Sequence, residues 1–131
     1  MIFLDSYDPD AAKADAEKIF PDRKTFNAGD LEFAAYCRSV VREGRAAVSE
    51  ATAPLRFLRK KHDGQSWLDT LELYLLDTDM SIQKTTDALA VHRNTVKYRI
   101  KRMSEKLGYP LGQMPSSLSL YIAAGVERLT R

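Results

Sequence analysis

His92, Arg93, Asn94, Thr95, Lys97, Tyr98, Lys101 and Arg102 crowd into one short stretch of a 131-residue chain. Their types suit hydrogen bonding to nucleic acid. Arginine and lysine offer donors to guanine, and asparagine matches adenine. Threonine and the longer cations reach phosphate oxygens. If the stretch is a helix, Val96, Ile100, Met103 and Leu107 recur at helical spacing on one face. Asn94, Lys97, Tyr98, Lys101, Arg102 and Glu105 then lie opposite, with Arg93 at the N-terminal tip. A helix that enters a major groove N-terminus first sets Arg93, Asn94, Lys97 and Tyr98 nearest the base edges. Lys101 and Arg102 follow a turn later, over phosphates. Thr95 can donate to a phosphate, and His92 is read as a cap or a further phosphate contact. The free N–H groups of the helix start also favour a phosphate.

Charge patterning agrees with this reading. The whole chain is only +2, yet residues 92–106 alone carry +5. Residues 66–91 carry −4, and residues 1–65 balance to zero. A local basic stripe, more than global charge, marks a small DNA reader.

Other chemistries find little support. No nucleophile has a recognisable base partner and there is no glycine-rich phosphate loop, so no enzyme activity is expected. Cys37 and the two histidines, His62 and His92, lack ligand spacing, so neither metal nor cofactor is expected. A lone cysteine forms no internal disulfide, which fits a reducing cytoplasm. Met1–Leu4 is too short for a signal core and Asp5 ends it. No apolar run approaches the roughly 20 residues of a membrane helix. Trp67, Phe33, Tyr36, Phe57 and Tyr74 could line a pocket, but aromatics at helical spacing read first as core.

The elements that must position the basic stretch are helical throughout. Asp8-Pro9 starts a helix that Pro21 stops. Asp30 is expected to cap a second helix along Leu31, Ala34, Ala35 and Val41, which Gly44 weakens or ends. A third stretch covers Arg45 to about Ala53, and Pro54 interrupts it. Ser66 is expected to cap a helix with Leu68, Leu71, Leu75 and Leu76 inward, broken by Asp77-Thr78-Asp79. Ser81 then caps a short helix with Ile82, Thr86 and Leu89 inward. About four residues around Val91 join it to the basic helix, opened by His92 or Asn94 and closed by Gly108. Two short helices so joined, the second basic, form a helix-turn-helix. Asp87 on the first of them should face away from a DNA backbone. Ser116 or Ser117 caps a last helix with Leu118, Tyr121 or Ile122, Val126 and Leu129 buried.

Leu68-Asp69-Thr70-Leu71-Glu72-Leu73-Tyr74-Leu75, then Ser81-Ile82, then Ala88-Leu89-Ala90-Val91-His92-Arg93-Asn94-Thr95-Val96-Lys97-Tyr98-Arg99-Ile100, then Leu107-Gly108, resemble the C-terminal helix-turn-helix of PucR/CdaR-type bacterial transcriptional regulators. The likeness runs from about Ser66 to Leu129 and is fainter upstream, at Asp30-Leu31 and from Pro54 to Gly64. It is similar in architecture to the Fis-type helix-turn-helix. The resemblance implies sequence-specific DNA binding, often by dimers, under sensory domains earlier in the chain. Asp79-Met80-Ser81 stands where glycine or asparagine is usual, and Thr86 where alanine is usual. The short length leaves no room for sensory domains, so a C-terminal fragment of a longer regulator is expected.

The expectation is therefore an all-α helical bundle. Residues 1–64 form a helical N-terminal segment and residues 65–131 a helix-turn-helix domain. Its partners are double-stranded DNA and a second copy of itself, without membrane, in the cytoplasm, with any effector bound by domains outside this chain. The competing reading is a protein-interaction or ligand-sensing helical module without direct DNA binding.

Overall fold

The computed structural model describes residues 7–131. The expectation placed on Met1–Leu4 lies outside the described residues. Among those residues every regular element is helical, as the all-α reading requires. They divide into two compact units. One holds the residues up to Ala53 together with Ile122–Arg131, and the other is Pro54–Tyr121.

In the first unit, α1 (Pro9–Ile19) starts as its sequence suggests. Pro9 takes the first turn, and Asp8 Oδ1 accepts the Asp10 N–H at 3.0 Å. The second helix, α2 (Ala28–Arg42), begins earlier than expected. Asn27 is its cap, and Asp30 is the third residue of a reciprocal box. The Asn27 side chain accepts from the Asp30 N–H at 2.8 Å, and the Asp30 carboxylate accepts from the Asn27 N–H at 3.0 Å. Two residues that each favour caps compete here. The arrangement that satisfies two orphan donors at once wins over the one that satisfies a single donor. Gly44, at φ 106°, separates α2 from α3 (Arg45–Thr52).

Ala12, Ala16, Ile19, Phe20, Ala34 and Cys37 bury the facing sides of α1 and α2. Arg38 adds a two-pronged bond to Asp15, at 3.0 and 2.7 Å. Burial first, and Asp15 second, push the Cys37 thiol up to about 12. It is neutral and unreactive at ordinary pH.

A 3₁₀ turn at Ala53–Leu55 leads the chain into the second unit, whose first α-helix is the single turn of α4 (Arg56–Arg59). The next helix, α5 (Gly64–Glu72), also starts earlier than expected, at Gly64 and not after Ser66. The cause is steric. A Cβ at position 64 would collide with the Leu58 carbonyl, so only glycine lets α5 begin this close to α4. Leu68 and Leu71 are buried on α5, and Leu75 and Leu76 on the π-helical turn Leu73–Asp77 that continues it. Asp79 and Met80 then turn the chain in left-handed conformation, at φ 51° and 63°. The helices α6 (Ile82–Leu89) and α7 (Arg93–Leu107) follow.

The last helix, α8 (Leu118–Leu129), begins in the second unit and ends in the first. Leu118 is half exposed, contrary to the expected burial. The inward positions start one residue earlier, at Ser117. This residue is fully buried and its Oγ accepts the Gly112 N–H at 2.8 Å. Leu120, Ala123 and Ala124 continue the buried side, and Val126 and Leu129 are buried as expected.

Candidate nucleic-acid interface

The turn between α6 and α7 is built from local chemistry. Ser81 caps α6, its Oγ accepting the Lys84 N–H at 3.1 Å. The hydroxyls of Thr78 and Thr85 meet at 2.8 Å behind that cap. On the inner side of α6, Thr85 and Thr86 are buried, while Ile82 and Leu89 are only half-buried. The Thr86 hydroxyl is buried with no partner among the described residues.

Ala90, at φ 55° and ψ 40°, ends α6 in the left-handed region. Only Ala90, Val91 and His92 lie between α6 and α7. His92 is extended, and its Nδ1 accepts the Asn94 N–H at 3.0 Å. His92 thus caps α7, and Arg93 is its first residue. Gly108, at φ 85°, closes α7 as its sequence position suggests.

On α7, Val96 and Met103 are fully buried, and Ile100 and Leu107 are half-buried beside them. One residue that sequence reasoning missed shares this inner face. Arg99 is half-buried, and its Nη1 donates to Thr70 Oγ1 on α5 at 3.0 Å. The Thr70 hydroxyl in turn donates to the Ser66 carbonyl at 2.9 Å, which leaves its lone pairs for the guanidinium. On the helical wheel position 99 lies about 40° beyond Met103, at the edge of that face, so the period alone leaves its direction open. Sequence analysis gave Arg99 no role at the site, and its partner Thr70 lies on another helix.

The outer face of α7 carries the rest. His92, Arg93, Asn94, Lys97, Tyr98, Lys101 and Arg102 are exposed, and Thr95 is half-buried. The structure thus sets seven of the eight candidate residues in solvent on or at the end of one helix. Arg93 Nη1 reaches back to the Gln83 side chain of α6 at 3.4 Å. Tyr98 is 58% exposed, an unusual state for so large a ring. Its ring meets Trp67 edge to face, with centroids 6.0 Å apart. Trp67 itself donates from Nε1 to Asp63 at 2.9 Å, and this bond is the main cause that holds the Asp63 carboxyl below its usual range.

The acid on the outer face is Glu105, which pairs with Arg102 at 3.3 Å. Asp87 is exposed on α6 and accepts from Gln83 at 2.9 Å. A rigid helix with an outward row of cations, an amide and a phenol can meet a polyanion and hydrogen-bond the groups between its charges. Among the described residues no group of three or more His, Cys, Asp or Glu could hold a metal ion. No described helix is long and apolar enough to cross a membrane.

Comparison with known proteins meets this geometry. Residues 67–125 match the family described as the PucR C-terminal helix-turn-helix domain. The chain is 40% identical over 70 residues to the purine catabolism regulatory protein of Bacillus subtilis (strain 168), a stretch that covers 53% of this chain and 13% of that protein. It is 49% identical over 43 residues to the carbohydrate diacid regulator of Escherichia coli (strain K12), covering 33% of this chain and 11% of that protein. The match therefore spans only a small part of the length of either relative. Both relatives are regulators by name and neither is named as an enzyme. No solved structure matches the chain significantly. Residues 67–125, just under half of the chain, are thus similar to the PucR C-terminal helix-turn-helix domain.

Proposed function

We propose that this chain binds double-stranded DNA with sequence preference and acts in transcription regulation. The observation that carries this reading is the outer face of α7. Arg93, Asn94, Lys97 and Tyr98 stand exposed at its N-terminal half, on a helix locked from behind by Val96, Met103 and the Arg99–Thr70 bond. In the proposed mechanism α7 enters a major groove N-terminus first. Arg93, Asn94, Lys97 and Tyr98 meet base edges, while His92, Thr95, Lys101 and Arg102 meet phosphates. Counterion release supplies most of the affinity, and the base contacts supply the preference.

The reading extends to a twofold pair of copies on a pseudo-palindromic site, in the cytoplasm, with no chemical step performed. Both regulatory relatives support the transcriptional role. The test is a selection of duplexes from a random library with the purified chain. The expected result is an enriched motif with two inverted half-sites, about one helical turn or a multiple of it apart. Recovery of duplexes without any shared motif would refute the sequence preference.

A further inference from the structure

Lys60 and Lys61 are exposed in the turn between α4 and α5, upstream of the residues that match the family. The Lys61 ammonium stands 4.3 Å from the centre of the Trp67 ring. The same ring meets Tyr98 of α7 edge to face. A continuous contact, Lys61 to Trp67 to Tyr98, thus joins this turn to the outer face of α7.

A concavity of about 390 Å³ lies alongside. Its floor includes Trp67 and Met103, and its rim carries Lys60, Lys61, Arg102 and Lys106. None of its lining residues is acidic. The nearby acids are Glu105, bound to Arg102 in a pair whose two side chains are about half exposed, so water screens it, and Asp63, which is exposed, accepts from Trp67 Nε1 and is attracted to Lys61.

We propose that Lys60, Lys61, Arg102 and Lys106 form a second phosphate-binding patch, which grips the backbone of the DNA that flanks the stretch under α7. This inference rests on the DNA-binding reading above. Four cations around one hollow repel one another, and an anion relieves that repulsion. A duplex fits better than a small anion because its charges come in a row, roughly one per 1.7 Å of helix axis. Continuity with the cations of α7 also favours the partner that already lies on α7. Stacking on Trp67 fixes the Lys61 ammonium while leaving it in solvent, so less side-chain freedom is lost on binding.

The experiment measures binding of the full chain to a random-sequence 30-bp duplex and to a 12-bp duplex across a salt series. It compares the wild type with the Lys60→Ala/Lys61→Ala pair and with a Lys13→Ala/Lys18→Ala pair on α1. For the 30-bp duplex, the first pair should flatten the slope of log affinity against log salt by about 2, near 0.9 per lost phosphate contact. At moderate salt it should weaken binding about tenfold on any sequence. On the 12-bp duplex, which has little flank, its effect should shrink. The α1 pair should change nothing. Lys106→Ala alone should flatten the slope by about 1, a check that does not disturb the Trp67 contact. If the wild type shows a steep slope and the Lys60/Lys61 variant keeps it, the second patch is overturned while DNA binding stands. If the wild type shows no salt-dependent binding, the DNA reading fails and the patch fails with it.

Discussion

Arg99 Nη1 donates to the buried hydroxyl of Thr70 at 3.0 Å, and this bond ties α7 to α5 from the side opposite the exposed cations. Thr70→Val keeps the shape and removes the acceptor. A half-buried guanidinium then loses a charged hydrogen bond, worth about 1.5–3 kcal/mol. Urea unfolding of Thr70→Val should show a loss in that range. Arg99→Ala should weaken folding similarly and leave base preference intact. A changed preference in Arg99→Ala, at unchanged stability, would show that Arg99 reads DNA.

Ala90 and Gly108 end successive helices in the same left-handed region, at φ 55° and 85°. The two positions predict opposite effects from opposite substitutions. Ala90→Gly relieves the Cβ strain, and the greater freedom of glycine in the unfolded chain offsets part of the gain. A net gain of about 0.5 kcal/mol is expected. Gly108→Ala meets no neighbour within 4 Å, so its cost is conformational alone, about 1 kcal/mol. Thermal melts of both variants check the pair of signs. If both destabilise, the conformation assigned to Ala90 is wrong.

These caps show why the fold was largely legible in the sequence. Ser81, Gly108 and the Asp8-Pro9 start each act through neighbours within a few residues, so spacing alone locates them. The departures involve partners farther away or a competition between similar residues. Asn27 displaced Asp30 because the two together satisfy two donors. Gly64 starts α5 because of Leu58, which belongs to another helix. Leu118 is exposed because buried Ser117 takes the inward position and accepts the Gly112 N–H. At the candidate site the residue types and the outward face of α7 were readable from period and charge. The inward role of Arg99 was not, because its partner Thr70 lies on a helix whose docking no local pattern describes.

Asn94, Lys97 and Lys101 share exposure on α7 but differ in distance from its N-terminus. That difference predicts different phenotypes. Asn94→Ala and Lys97→Ala should each cost about 1–3 kcal/mol on the selected site and flatten discrimination between it and mismatched duplexes. Lys101→Ala should weaken all duplexes by the same factor and reduce the salt slope by about 1. Binding titrations on matched and mismatched duplexes separate the two patterns. Identical behaviour in all three variants would refute the division into base and phosphate contacts.

The most direct test of the central claim is the salt dependence of duplex binding by the intact chain. Net charge is only +2, so a strong dependence must come from the local cations of α7 and its surroundings. With about 4–6 phosphates neutralised, log affinity should fall with log salt at a slope of about −4 to −5. A slope near zero would contradict DNA binding through α7.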